Sequence, residues 1–411
     1  IASLGVNGVA GYQTRILTDA AHDPILKVPE GYPTIQKALD AARRNDTVIV
    51  GEGLYRESIS WPTKDNISLI APLGPEKTII NARIKTNWDD EHGNVEEYTN
   101  DNKAVIFIPP EVGVVTINGF TLTGGNGGHI SHWGGTDDFY GGGICVDIYN
   151  SVSVINCIIT GNGSRNAGGH GTYGAGIGIG NNSTALIENT LVYGNDGGKG
   201  AGIHFWTYSD YPVTIKRSVI HENTGRYNLY NIGSRIVVQN SIIGDYYMSV
   251  GSKNFMEINS SIILGSFAGQ GNVDVNYSYG YSSGKSNINE DPLLINSAPN
   301  KYHLETGSPC IDSGDPDLDG DGITWENDPD DQDPDGSRLD IGAFPYEQFK
   351  FTFQQFGPGT IELTPSKTTY QDGDVVSMKA VPGEGYSFLG WESDVSGSEN
   401  PLTVVVNADK T

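Results

Sequence analysis

Cysteine is scarce in this 411-residue chain: three occur, Cys145, Cys157 and Cys310. Three cannot make a disulfide framework, at least one thiol stays unpaired, and cysteine usage says little about the compartment. Basic residues are few as well, 25 Lys and Arg against 50 Asp and Glu, for a net charge of −25. That field repels phosphate and argues against a nucleic-acid partner. It suits an acidic partner when a cation bridges the two. No apolar run approaches the ~18 residues of a membrane span. The 55 Gly have no three-residue period, which excludes collagen. With 37% hydrophobic residues, 21 Tyr, 12 Phe and 6 Trp, long disorder is excluded too. The length allows two or three domains. The chain opens at Ile1 with neither Met nor a signal peptide, so a processed N-terminus is expected.

What is present is an internal repeat. GGGICVDIYNSVSVINCIITGN (141–162), GAGIGIGNNSTALIENTLVYGN (174–195) and GAGIHFWTYSDYPVTIKRSVIHEN (200–223) align almost without gaps. Weaker copies run over 228–245 and 248–267, and an earlier one ends at 114–125. Each opens with small residues, chiefly Gly, and continues with three short β-branched strands separated by polar turns. A period of ~20–30 residues of this kind predicts a solenoid, with three strands per turn stacked as a parallel β-helix. One turn cannot bury its apolar face alone; stacked turns bury a continuous core.

The corner between the second and third strands holds Gly119, Asn156, Asn189, Arg217, Asn240 and Ser260 in successive turns. Asn tolerates left-handed backbone and its amide bonds to the corners above and below, so a ladder is expected. The next position holds Phe120, Cys157, Thr190, Ser218, Ser241 and Ser261, which makes Cys157 a small core residue. Arg217 breaks the ladder and, with Lys216 and His221, is read as a surface group covering its corner.

Residues 34–42 carry apolar side chains at helical spacing, and a strand-like Asp46-Thr47-Val48-Ile49-Val50 follows. A helix capping the open end of the solenoid is expected, because a bare end exposes an unpaired strand edge. The stretch TIQKALDAARRNDTVIVGEGLYRESI, with NISLIAP (66–72) and TIINA (78–82), resembles the opening of pectin-lyase-like right-handed β-helix proteins. The resemblance spans about residues 30–345 and implies an all-β fold with an N-terminal helical cap. GSPCIDSGDP (307–316) with DGSRLDIGAFPYE (335–347) resembles the terminal segment of secreted bacterial β-helix proteins of the choice-of-anchor type. TYQDGDVVSMKAVPGEGYSFLGWESDVSGSENPLTVVVNADKT (369–411) resembles a divergent internalin-type B repeat, a small β module of cell-surface and secreted proteins. It stops where a last strand is expected, so further domains of the same chain are expected. The resulting division is an N-terminal extension (1–29), a β-helix (30–347) with an acidic insert at 315–335, and a small β domain (348–411).

Within the insert, Asp315, Asp317 and Asp319, Gly320, Asp321 and Glu326 fit D-x-[DN]-x-[DN]-G-x5-E. Oxygens at loop positions one, three and five converge on one ion, Gly permits the turn, and Glu closes the sphere. Ca2+ is therefore the expected cofactor, in a structural role.

In β-helix carbohydrate enzymes the cleft usually lies on the first strand of each turn, walled by the loops before it. Two such loops are long, 124–140 and 161–173, and hold His129, His132, Trp133, Asp137, Asp138, His170 and Tyr173. Alternation points Cys145, Asp147, Gly178, Gly180, His204 and Trp206 outward, and the next turn offers Tyr230. Aromatic faces suit sugar stacking; His, Tyr and carboxylates suit proton transfer. The favoured expectation is a secreted polysaccharide lyase acting on an acidic, uronate-containing polymer. His170 or His204 would be the base, Tyr173 the acid, and His129 or His132 the carboxylate neutraliser. Trp133, Trp206, Asp137, Asp138, Asp147 and Tyr230 would bind substrate. A non-catalytic surface adhesin or glycan-binding protein is the alternative. A glycoside hydrolase, which needs two carboxylates across one bond, would have to pair Asp137 or Asp138 with Asp147.

Overall fold

The alternation within each repeat decides how it folds. In Asn150–Ile155, Val152 and Val154 are buried while Ser151 is exposed and Ser153 half-buried. A strand of this pattern needs a neighbour on each edge and a packed layer on one face. In the computed structural model, which describes residues 23–87, 96–99, 103–129, 139–163, 172–206, 212–233, 235–244, 248–250, 255–269, 272–297, 301–371 and 373–411, stacking supplies both. One turn runs Ile144–Val146, Asn150–Ile155, Ile158–Thr160. Each of these strands pairs in parallel with its counterpart in the next turn, Ile144 opposite Ile177, Val152 opposite Ala185, Ile159 opposite Val192. The repeats thus build three parallel sheets, called first, second and third in chain order within a turn, of eight, ten and eight strands among the described residues. The chain is a parallel β-helix.

The core runs along the axis as one cluster, from Leu26 and Val28 to Ile263 and Val275. Burying one Ile or Val contributes ~1.5–3 kcal/mol, against ~1–2 kcal/mol of backbone entropy for each residue ordered. A single turn cannot bury its apolar face, and stacked turns share one core.

The corners follow the residues placed there. Gly119, Asn156, Asn189, Arg217, Asn240 and Ser260 all have positive φ, between 44° and 88°. Asn156 donates to Asn118 (3.0 Å) and Asn189 to Asn156 (3.2 Å). Arg217 keeps the ladder by donating its Nε to Asn189 (3.1 Å), and its guanidinium pairs with Glu188. The adjacent buried row is a hydroxyl ladder: Thr190, Ser218, Ser241 and Ser261 each accept the N–H of the turn before at 3.1–3.3 Å. Cys157 lies in this row, 1% exposed, its thiol pushed up to about 11 by burial. A third ladder, not foreseen, runs inside the opposite corner. Asn162, Asn195, Asn223 and Asn228 pass side-chain bonds at 2.9–3.0 Å, all at most 2% exposed.

The expected N-terminal helix is Ile35–Ala41, with Thr34 capping Lys37 N–H and Ile35, Ala38 and Leu39 buried. The second sheet begins earlier than residue 30, where the sequence places the solenoid's start. Ile25–Val28 is its first strand, paired with Thr47–Val50. The signal was the alternation in Ile25-Leu26-Lys27-Val28, only four residues long.

At the other end, Leu304, Cys310, Ile341 and Ala343 cover the outer side of the third sheet at Val219, Ile242 and Ile262. The same segment caps the corner ladder: Asn240 donates to Asp340 O (3.1 Å), and Asp315 N–H donates to Ser260 Oγ (2.7 Å). Beyond it, Gly359–Thr364, Val375–Pro382 and Leu402–Val405 form a small antiparallel sheet.

Candidate functional site

The site is built on the outer face of the first sheet. In each turn a glycine precedes the first strand: Gly141, Gly174 and Gly200, at φ 56°, 63° and 64°. A Cβ at Gly174 or Gly200 would sit 2.5–2.6 Å from the carbonyl oxygen three residues on and 3.0 Å from His204 Cβ. These positions therefore need Gly, and the chain turns tightly enough to align the residue before each one. Tyr140 pairs with Tyr173, and Tyr173 bridges to Lys199. Tyr227, in the following turn, lies beside this row, its carbonyl accepting Ala201 N–H at 2.7 Å.

A second row lies on the strands themselves, with Cys145, Gly178, His204 and Tyr230 in register. The two rows pack together. The Tyr173 ring is 4.9 Å from His204, His204 stacks on Tyr230 at 5.3 Å, and Tyr230 on Tyr227 at 5.2 Å. Trp206 meets Tyr173 and His204 edge-on at 6.5 and 6.4 Å. Lys199 Nζ lies 5.6 Å from the centroids of both Tyr173 and Tyr230. Arg226 lies over Tyr227 at 5.3 Å. The result is an aromatic ridge carrying two cations, on a chain whose net charge is −25.

His204 is 0% exposed, and burial, helped by Lys199, lowers its pKa to about 3. Burial raises Tyr230, with Tyr227 adding to the effect. Cys145, outward-facing as alternation predicts, is also covered, within a cluster of Ala104, Phe107, Tyr173 and Trp206. Asp147 is 2% exposed, with Oδ1 accepting Ile148 N–H (2.8 Å) and its carbonyl accepting Ser183 Oγ (2.8 Å).

The described ends of the two loops singled out by sequence lie side by side. Gly128–His129 pairs with Phe139–Tyr140, which pairs with Thr172–Tyr173. Of the expected site residues, Tyr173, His204, Trp206 and Tyr230 meet in one cluster. His132, Trp133, Asp137, Asp138 and His170 lie outside the described residues, as does the His129 side chain. Lys199 and Tyr227 were missed. The signal for Lys199 was positional, since it precedes the glycine that opens its turn, as Tyr173 does.

The acidic insert is a chain of Asx turns. Asp319 accepts Asp321 N–H (3.0 Å) and Asp321 accepts Ile323 N–H (2.7 Å). Asp317 accepts Gly322 N–H (3.3 Å). Two sets of carboxylates each bring one oxygen apiece within 4.8 Å of one another: Asp317, Asp319 and Asp331, and Asp319, Asp321 and Asp328. Asp315 and Glu326 belong to neither set. Asp315 instead accepts Asp317 N–H, and the exposed Glu326 accepts Thr324 Oγ1 at 2.6 Å. Asp328 and Asp331 replace them because the turn Pro329–Asp331 folds back over the loop.

Residues 336–411 match the divergent InlB B-repeat domain family. That match begins upstream of the stretch read as a B repeat from sequence and includes the end of the solenoid. No curated protein matches the chain. Among solved structures the chain is similar to a pectin methylesterase from carrot, with 18% identity, TM-score 0.32, and 59% of this chain and 82% of that one covered. It is similar also to pectin methylesterase PemA from Erwinia chrysanthemi, with 8% identity, TM-score 0.31, and 65% and 92% covered. Pectate lyase Pel9A shows 12% identity, TM-score 0.37, and 76% and 90% covered. At these identities and TM-scores the likenesses assign neither activity nor site.

Proposed function

We propose that the chain is a secreted carbohydrate-active protein that grips an acidic, uronate-containing polysaccharide along the ridge of Tyr173, Lys199, Trp206, Tyr227 and Tyr230. One observation carries this reading: Lys199 Nζ sits equidistant, at 5.6 Å, from two tyrosine rings on the same face. Ring faces stack on the apolar faces of sugars, and an ammonium between them pairs with a carboxylate on the sugar. Repetition along the solenoid presents such contacts at a regular spacing, which suits a polymer.

The chemistry we propose for this ridge is β-elimination. Lys199 neutralises the uronate carboxylate, a base removes the C5 proton, the C4–C5 double bond forms, and the C4–O bond breaks. Tyr173 gives its proton to the leaving oxygen. His204 is a weak base for the first step, because an imidazole with a pKa of about 3 accepts a proton reluctantly. We therefore assign His204 to holding Tyr173 and Tyr230 in place, and seek the base among His129, His132 and His170. Hydrolysis is less well supported, since Asp147, half of the carboxylate pair it would use, is buried and engaged with backbone. The buried state of His204 also supports a second reading, a glycan-binding surface without turnover. Calcium is the ion we propose for the insert carboxylates. Oxygens held at ~2.4 Å from one Ca2+ lie no more than ~4.8 Å apart, and both Asp sets meet that limit.

The test is release of new reducing ends from a panel of acidic and neutral polysaccharides, with calcium present. Release with ultraviolet absorbance of an unsaturated product supports elimination, and release without it indicates hydrolysis. Retention of one acidic polymer in affinity electrophoresis, lost in Lys199→Ala and without release, establishes the binding reading. The absence of both release and retention refutes the ridge as a glycan site.

A further inference from the structure

The insert motif predicts that Glu326, at loop position twelve, closes the cation site. The structure points elsewhere. Asp331 is 1% exposed. Its Oδ1 accepts Leu318 N–H at 2.9 Å, while Oδ2 is buried with no hydrogen-bond partner. A carboxylate oxygen withdrawn from water without a donor is strongly unfavourable unless a cation or a proton meets it. Asp331 offers an oxygen within 4.8 Å of those of Asp317 and Asp319, so the unmet oxygen belongs to a group already gathered as ligands. Glu326, by contrast, is exposed, outside both carboxylate sets, and bonded to Thr324.

We propose that Asp331, not Glu326, is the closing ligand of a calcium ion held by Asp317, Asp319 and Asp331. The inference rests on the calcium reading above and deepens it. It also gives the ion a structural task. Asp331 lies at the end of the turn Pro329–Asp331, and its carbonyl accepts Leu339 N–H at 3.4 Å. Leu339 adjoins Asp340, whose carbonyl caps the Asn240 corner. An ion joining Asp317 and Asp319 to Asp331 would therefore pin the insert onto the segment that closes the solenoid.

The experiment is calorimetric titration of the full chain with Ca2+ alone, for wild type, Asp331→Asn and Glu326→Gln. Asp331→Asn keeps the shape and the bond to Leu318 but removes the charge. Removing a direct ligand should weaken binding ~10-fold or more, since even outer-shell partners cost 10–100-fold. Glu326→Gln should leave affinity within about twofold, because its side chain touches no proposed ligand. Full affinity in Asp331→Asn, or a large loss in Glu326→Gln, overturns the assignment while leaving calcium binding in place. No heat and no thermal shift with Ca2+ in wild type overturns the calcium reading itself. Should Asp331→Asn fail to fold, Glu326→Gln alone decides: unchanged affinity supports the assignment and lost affinity refutes it.

Discussion

Acidification should destabilise the fold through one residue of the aromatic ridge, because the unfolded chain takes up a proton that the buried ring refuses. The folded pKa of His204 is lowered from 6.5 to about 3, first by burial and then by Lys199. Between those values the unfolded chain binds a proton that the folded chain refuses, so stability is full above pH ~6.5 and falls as pH drops toward ~3. At pH ~4.5 the gap is ~2 pH units, which at 1.36 kcal/mol each is ~2.7 kcal/mol. The imidazole is fully buried, so solvent screening does not reduce that figure. The assay is urea unfolding at pH ~7 and ~4.5, for wild type and His204→Phe. The variant keeps a ring against Tyr230 and cannot titrate. Other groups titrate alike in both proteins, so the difference of the two differences isolates His204. The wild type should lose ~2–3 kcal/mol more than the variant. Equal losses, or an imidazole resonance for His204 that titrates above pH ~5.5, would falsify the buried, uncharged ring and the ridge geometry built on it.

Replacing Lys199 with Ala should weaken retention of an acidic polymer much more than of a neutral one, by ~10-fold if one charge-assisted contact of ~1.4 kcal/mol is lost. Chelation should lower the melting temperature in proportion to calcium bound; an ion at 100 times its Kd contributes ~2.7 kcal/mol, and an unchanged melting curve would count against a structural ion. Asn195→Ala removes the acceptor of Asn162 N–H and the donor to Ile159 O. The buried Asn162 N–H left without its acceptor should cost roughly 1–3 kcal/mol in chemical denaturation. Arg217→Asn should be near neutral, within ~1 kcal/mol, because Asn suits the left-handed corner while the half-exposed pair with Glu188 contributes little.

The solenoid was legible because its signals repeat. Asn156 and Asn189 fall at the same place in aligned copies, a corner with positive φ that Gly119 and Arg217 share. Alternation then assigns Cys157 to the interior. The inner ladder of Asn162, Asn195 and Asn223 was equally periodic. Polar residues at a period read as turn surface, however, and only closure of the coil reveals that they point inward. The first strand, Ile25–Val28, was too short for alternation to distinguish it from a linker.

The ridge and the insert were legible only in part, and for different reasons. Alternation correctly turned His204 and Tyr230 outward, but outward on a β-helix does not mean exposed. Tyr173 and Trp206 close over His204, so a residue read as a base is held uncharged in a ring stack. Lys199 carries no motif, and its place between two rings comes from the stacking of turns of unequal length. In the insert the motif found Asp317 and Asp319 because their spacing is local. Asp331 joins them through a backbone reversal at Pro329 that spacing cannot encode. A linear pattern predicts ligands that the loop itself gathers. It misses a carboxylate supplied by the scaffold on which the loop rests, here Asp331, whose second oxygen is buried without a donor.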